Sequence, residues 1–235
     1  MTFKKFDAPS IKELFLTQME EMILSGELKP GDRLPSEREL ADTMGISKTV
    51  VHDGIRELSR RGFLDVMSRK GVHVADYTRT GNLDTLFAMI RYRGGMPDRK
   101  ILISLLDTRL YLECPALRIL CERQDPADIA KLSELLEAVR KAMDQDMADF
   151  ALALFLYRRA IVTLTGNCIS PLVMNAFFQS SITAWTACCE YIGRERLLDI
   201  LSETTDCIRR GDADRAIALF TGCIEQFKTH LNDAA

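Results

Sequence analysis

At 235 residues the chain is too long for one minimal domain and short for three, so two domains are expected. With 47% hydrophobic and 28% charged residues it is not a largely disordered chain, and no apolar run reaches the length of a membrane span; even the run from Ala151 stops at Tyr157, Arg158 and Arg159. The net charge of −3 argues against a phosphate-rich partner only if the charge is evenly spread, because phosphates meet local charge.

Met1 to Pro9 lacks the basic-then-apolar pattern of an export signal. From Ser10 to Leu28, Ile11, Leu14, Phe15, Met19, Met22 and Ile23 recur at three- and four-residue steps, which predicts an amphipathic helix. Lys29-Pro30-Gly31-Asp32 breaks it, Pro lacking a donor and Gly accepting unusual dihedrals. A second helix is expected after Pro35, with Ser36 and Glu39 spaced as a capping box and Gly45 as its end. Ser47 is placed to cap a third helix running to about Arg61, with Val50, Val51, Ile55 and Leu58 inward. After Gly62, two β-prone runs, Phe63 to Met67 and Val72 to Val74, flank Ser68-Arg69-Lys70-Gly71 as a hairpin. Helix, helix-turn-helix and hairpin is the order of a winged helix.

Asp76 to Asp84 is polar and reads as a linker. Leu86 to Arg93 is a short helix stopped by Gly94-Gly95-Met96-Pro97, and Ile101 to Arg123 a long one in which Pro115 is tolerable as a kink. Asp125-Pro126 opens the next helix as cap and first-turn Pro. Asp149 to Thr165, Pro171 to Tyr191, Arg194 to Arg210 and Asp212 to Leu231 follow, separated by Gly166-Asn167, Gly193 and Gly211-Asp212. The expected fold is mainly α: a winged helix-turn-helix over residues 1–76, a linker and connecting helix over 77–95, and an all-α antiparallel bundle over 96–235. The seven cysteines are odd in number and lack C-x-x-C spacing, so they read as buried reduced thiols of a cytoplasmic protein. Cys188-Cys189 has two readings, an oxidant sensor or, with no visible activating base, a pair of buried inert thiols.

In a helix-turn-helix the second helix of the pair lays its N-terminal residues on base edges in the major groove. Ser47, Lys48, Thr49, His52 and Asp53 are placed to face it, with Arg38 from the helix before. Lys48 and His52, four apart, share one face away from Val51 and Ile55. From Lys48 to His73 there are six Lys or Arg against three Asp or Glu, a local excess of +3. Each residue also has a plainer role open to it. Arg38 can pair with Glu39 or Asp42, His52 can stand idle on the surface, Arg60 and Arg61 can form a solvated helix end, and Arg69 and Lys70 a polar hairpin tip.

The run Leu28-Lys29-Pro30-Gly31-Asp32-Arg33-Leu34-Pro35-Ser36-Glu37-Arg38-Glu39-Leu40-Ala41 resembles the N-terminal signature of the GntR superfamily of transcription regulators. Ile46-Ser47-Lys48-Thr49, Ile55-Arg56-Glu57-Leu58 and Gly62-Phe63-Leu64 continue it. The resemblance implies that Arg38 and the start of the third helix contact operator bases, while Arg69-Lys70-Gly71 enters the minor groove. The family usually has Arg in place of Lys48 and His52, commonly Pro at Val50, and Gly at Arg69.

An all-helical C-terminal domain resembles the FadR-like branch, weakly continued by Leu106 to Glu113, Gly166-Asn167 and Ile208-Arg209-Arg210-Gly211-Asp212. Many members of that branch hold a metal with one Asp and three His, which would fall at Leu154, Arg158, Leu201 and Cys223. None of the four is kept, so neither a metal nor another cofactor is expected. Arg158 would point a cation where the metal stood, and Arg109 falls where the family often places a pocket arginine. Each either awaits an anionic ligand or is otherwise settled, Arg158 by reaching solvent and Arg109 by pairing with Glu113 one turn on. Tyr157, Asn167 and Trp185 are further pocket candidates. No Ser-His-Asp, H-E-x-x-H, P-loop or Rossmann signature is present. The expectation is a homodimeric, non-enzymatic repressor that binds double-stranded operator DNA, not a membrane. A carboxylate, sugar acid or acyl-CoA would be its effector.

Overall fold

The computed structural model describes residues 9–92 and 99–233. The expectations for the extreme N-terminus and for Gly94-Gly95-Met96-Pro97 therefore lie outside the described residues, Pro9 excepted. The chain divides into two compact units, Met1–Gly95 and Met96–Ala235.

In the first unit, α1 spans Ile11–Leu24, where Ser10 and Glu13 cap reciprocally. It ends earlier than the periodicity suggests, because Ser25 caps it and Gly26 turns at φ +83°. α2 (Glu37–Met44) starts on the Ser36/Glu39 capping box and stops at left-handed Gly45. α3 (Lys48–Arg60) starts at Ser47, whose hydroxyl accepts from the Val50 amide. Strands β1 (Leu64–Met67) and β2 (Gly71–Val74) pair antiparallel in the register Leu64 with Val74 and Met67 with Gly71. Phe15, Leu16, Met19 and Ile23 of α1 pack against Leu40, Val51, Ile55, Leu58, Phe63 and Leu64 to form one core.

Asp76 to Asp84, read as a linker, holds a single turn, α4 (Tyr77–Thr80), and the start of α5 (Leu83–Tyr92), the short helix expected from Leu86. It is also tied down. Asn82 donates its side-chain amide to the Arg60 carbonyl, and the Thr85 hydroxyl donates to the Arg61 carbonyl. Asp84 pairs with Arg60 at 2.7 Å. The polar residues that suggested an unstructured connection are the partners of the end of α3.

The second unit holds α6 (Arg99–Arg123), with Pro115 inside it, and α7 (Pro126–Lys141), capped by Asp125. A 3-10 turn follows at Ala142–Asp144, then α8 (Met147–Leu164), which begins one half-turn early on an Asp146 cap. The single helix expected from Pro171 to Tyr191 is two, α9 (Ser170–Ala176) and α10 (Phe178–Ile192), broken at Phe177. α11 (Arg194–Arg210) and α12 (Ala213–Asp233) complete the unit, separated by left-handed Gly211. Phe150, Leu154, Phe155, Ile161, Leu201 and Phe220 lie in its single core. Among the described residues no helix is long and apolar enough to cross a membrane.

Candidate nucleic-acid interface and ligand cavity

Because Val51, Ile55 and Leu58 sink into the core, Lys48, His52 and Arg56 are left on the outer side of α3 at four-residue steps. Lys48, Thr49 and Arg56 are exposed, and neither Lys48 nor Arg56 makes an ion pair with another described residue. His52 is exposed too, with Nδ1 2.8 Å from Glu37 Oε1. Arg38 reaches its plainer partner Asp42 only at 3.9 Å, with its side chain 88% exposed, so the pair does little to hold it. At the hairpin tip Arg69 and Lys70 are exposed without an ionic partner among the described residues. Arg69 sits at φ +64°, a left-handed conformation that glycine adopts at less cost.

Gly71 has φ +93°, and a Cβ there would stand 3.2 Å from Arg33 Nε. The glycine thus lets the Arg33 guanidinium lie under the hairpin, where Arg33 also bridges to His73 through the backbone. Arg33 was not singled out by the sequence, although its place after Pro30-Gly31-Asp32 carried the signal.

Arg60 and Arg61 behave differently. Arg60 pairs with Glu57 and Asp84, each at 2.7 Å, and Arg61 pairs with Glu20 at 2.6 Å and with Glu57 at 2.9 Å. Hydrogen bonds from Arg60 and then Arg61 hold the Glu57 carboxyl down to about 2. These two cations are neutralised at the back of α3, so the free positive charge concentrates on its outer side and on the hairpin.

The second unit encloses a cluster of charges. Arg109 and Glu113 lie one turn apart on α6, and Arg109 Nε donates to Glu113 Oε1 at 2.8 Å. Arg158 of α8 comes to the other carboxylate oxygen, Nε to Oε2 2.5 Å. Arg158 is 1% exposed and Glu113 0%, so the chain encloses two guanidiniums around one carboxylate. The solvent route open to Arg158 in the sequence is therefore closed. Its guanidinium instead lies 3.4 Å from the Phe220 ring centroid, a cation–π contact. The Arg158–Glu113 contact is ionic without hydrogen-bond alignment, and Arg158 Nη2, Arg109 Nη2 and Trp185 Nε1 are buried donors with no aligned acceptor. Burial pushes the Arg109 pKa below its ordinary value, Glu113 opposing and Arg158 adding to the effect.

Arg109 and Trp185 line a cavity with Leu106, Phe177, Ser181 and Cys188. Its free space is about 30 Å³, room for a water or two and too little for a metabolite without side-chain movement. The break between α9 and α10 places Phe177 on its wall. Three of the pocket candidates lie off this cavity. Tyr157 does not line the cavity; its hydroxyl donates to the Leu201 carbonyl and pairs with Thr205 Oγ1 at 2.7 Å, pinning α8 to α11. Asn167 is exposed, and its Oδ1 accepts from the Ile169 and Ser170 amides to shape the turn before α9. Arg158 lies behind the wall and reaches Arg109 only through Glu113. At the four positions where the resemblance would put metal ligands stand Leu154, Arg158, Leu201 and Cys223, all buried. Among the described residues no group of three or more His, Cys, Asp or Glu side chains is placed to hold a metal ion.

A family model described as bacterial regulatory proteins, gntR family, matches residues 16–74, and an FCD domain model matches residues 104–226. The HTH-type transcriptional regulator Mce2R of Mycobacterium tuberculosis is 30% identical over 170 residues, 72% of this chain and 69% of that one. The fatty acid metabolism regulator protein of Erwinia tasmaniensis is 27% identical over 155 residues, 66% of this chain and 63% of that one. Among solved structures, Lar, which controls expression of the Listeria monocytogenes agr system, aligns with a TM-score of 0.60 at 15% identity. The alignment covers 99% of this chain and 100% of that one, and it speaks for the fold alone.

Proposed function

Since this chain belongs to the gntR family of bacterial transcription regulators and carries an FCD domain, we propose that it is a homodimeric, cytoplasmic repressor whose hold on operator DNA is set by a small anionic metabolite. The observation that carries the DNA half is the split among the cations of the first unit. Arg60 and Arg61 are spoken for, whereas Lys48, Arg56, Arg69 and Lys70 are exposed on α3 and the hairpin without an ionic partner among the described residues. Lys48, Thr49 and His52, with Arg38, would meet base edges; Arg69 and Lys70 would reach the minor groove or its phosphates, with Gly71 keeping the turn tight. Two copies are inferred because one winged helix reads too few base pairs for genomic specificity.

The effector half rests on the cavity. Its walls are mostly apolar, but Arg109 and Trp185 offer donors without aligned acceptors, and the Arg109–Glu113–Arg158 cluster holds one positive charge in excess. A carboxylate carried on an apolar body would supply the missing counter-charge and acceptors. Its entry would widen the cavity and shift the protein between DNA-binding states.

Fluorescence anisotropy of the full chain on duplex DNA tests the first half. Lys48→Ala and Arg69→Ala should each weaken binding about tenfold, roughly 1.4 kcal/mol. Unchanged affinity in both variants, or no binding at low ionic strength, overturns it. For the second half, a thermal-shift screen of carboxylates, sugar acids and acyl-CoAs should find a stabilising anion whose effect disappears in Arg109→Met. The same anion should release DNA from the unsubstituted protein; a ligand that binds without doing so removes the coupling.

A further inference from the structure

Seven cysteines are free, and two of them sit differently from the rest. Cys188 of α10 lines the cavity and shares one buried core with Cys223 of α12, a helix that packs against α10, and the two thiols interact. Cys223, 5% exposed, is also among the residues lining a separate groove of about 280 Å³ between α11 and α12. Arg196 and Arg215 flank that groove, and Gly222 beside the thiol puts no side chain over it. Arg215 is engaged by Glu203, while Arg196 is exposed with no ionic partner among the described residues. Cys223, though buried, therefore borders an open groove and has cationic neighbours and a second thiol beside it, the surroundings of a reactive cysteine with a resolving partner.

We propose that Cys223 and Cys188 form a hydroperoxide-sensing dithiol, Cys223 taking the first oxidation and Cys188 closing a disulfide between α12 and the cavity wall.

The electrostatics agree with that order. The hydrogen bond from Cys188 lowers the Cys223 pKa, with Arg158 and Arg196 adding to it against the effect of burial, whereas the same bond and burial raise Cys188. The thiolate sulfur of Cys223 attacks one oxygen of a hydroperoxide. The O–O bond breaks, the leaving oxygen takes a proton to become water or an alcohol, and Cys223 becomes a sulfenic acid. The Cys188 sulfur then attacks the Cys223 sulfur; the S–O bond breaks and water leaves with the Cys188 proton. Two electrons pass from the two thiols to the peroxide. Cys168, although exposed, lacks such a second thiol among the residues described, and Cys121 and Cys189 are raised by burial to about 11 and about 12.

The chain carries its own reporter, since its single tryptophan, Trp185, shares α10 and the cavity with Cys188. Hydrogen peroxide titrated into the reduced full chain should shift Trp185 emission, and dithiothreitol should restore it. Peptide mapping under non-reducing conditions should find a Cys188–Cys223 crosslink. In Cys188→Ser, dimedone should label Cys223 at least tenfold faster than Cys168, because the sulfenic acid has lost its resolving partner. Cys223→Ser should abolish both crosslink and emission change; should that variant fail to fold, the crosslink map of the unsubstituted chain and the Cys188→Ser labelling decide alone. A different disulfide, or dimedone on Cys168 in preference to Cys223, overturns the proposal.

Discussion

Removing the Glu113 carboxylate leaves two guanidiniums buried without a counter-charge. Breaking such a cluster from its shared partner costs about 3–5 kcal/mol, because the uncompensated charges stay enclosed. Glu113→Ala is therefore expected to lower the unfolding free energy by that amount, read as a lower urea midpoint at unchanged m-value, and to do so far more than loss of the exposed Arg38–Asp42 pair. Half of this cluster was open to reading in the sequence. Arg109 and Glu113 are four apart on one helix, and that spacing alone makes them neighbours. Arg158 was legible as a cation out of place, but not its partner, because that depends on which face α6 turns to α8. Tyr157 misled for the same reason: its helix was plain, but its hydroxyl found Thr205 on a helix packed from another part of the chain.

Between α1 and α3 the decisive residue has no side chain. A methyl on Gly54 would stand inside contact distance of the Phe15 ring, which α1 lays across that point of α3. An alanine there gains about 1 kcal/mol in helix propensity but overpacks a filled core by about 1–3 kcal/mol. Gly54→Ala should thus lower the thermal midpoint, while raising it would mean that Phe15 can move aside. At the other end of α3, Glu57 links the helix to its two arginines. Its carboxyl is held below the ordinary 4.5, so its contribution is fully present above that pH and is lost as pH falls toward about 2. The urea-midpoint gap between the unsubstituted chain and Glu57→Gln should accordingly be constant from pH 7 to 5 and narrow between pH 4.5 and 3. Helix starts were read well, because Ser36, Ser47 and Asp125 declare themselves through capping. The break at Phe177 was not, since no Gly or Pro separates Pro171 from Tyr191 and packing alone divides the run.

Taken as a whole, the chain has a net charge of −3, and it can still favour DNA only if its cations are concentrated on one face. That requirement has a measurable signature in the proposed regulator. Log affinity should fall linearly with log salt, and Lys70→Ala should flatten the slope by about one, because one fewer phosphate contact releases one fewer counterion. A slope unchanged by Lys70→Ala would take that residue off the phosphates. Segment order and the wing came from turn residues and periodicity, which are local signals. The cavity did not, because it is made by three helices whose mutual packing no local pattern encodes.

The ties from Asn82, Asp84 and Thr85 to the last turn of α3 have a mechanical meaning. Slack between α3 and α5 is taken up by a side-chain amide, an ion pair and a hydroxyl, so the two helices turn together like a crank and its handle. In the proposed regulator, a twist applied at the Tyr92 end of α5 would therefore be delivered to α3 as rotation, and a small angle there would lift Lys48 out of register with a groove.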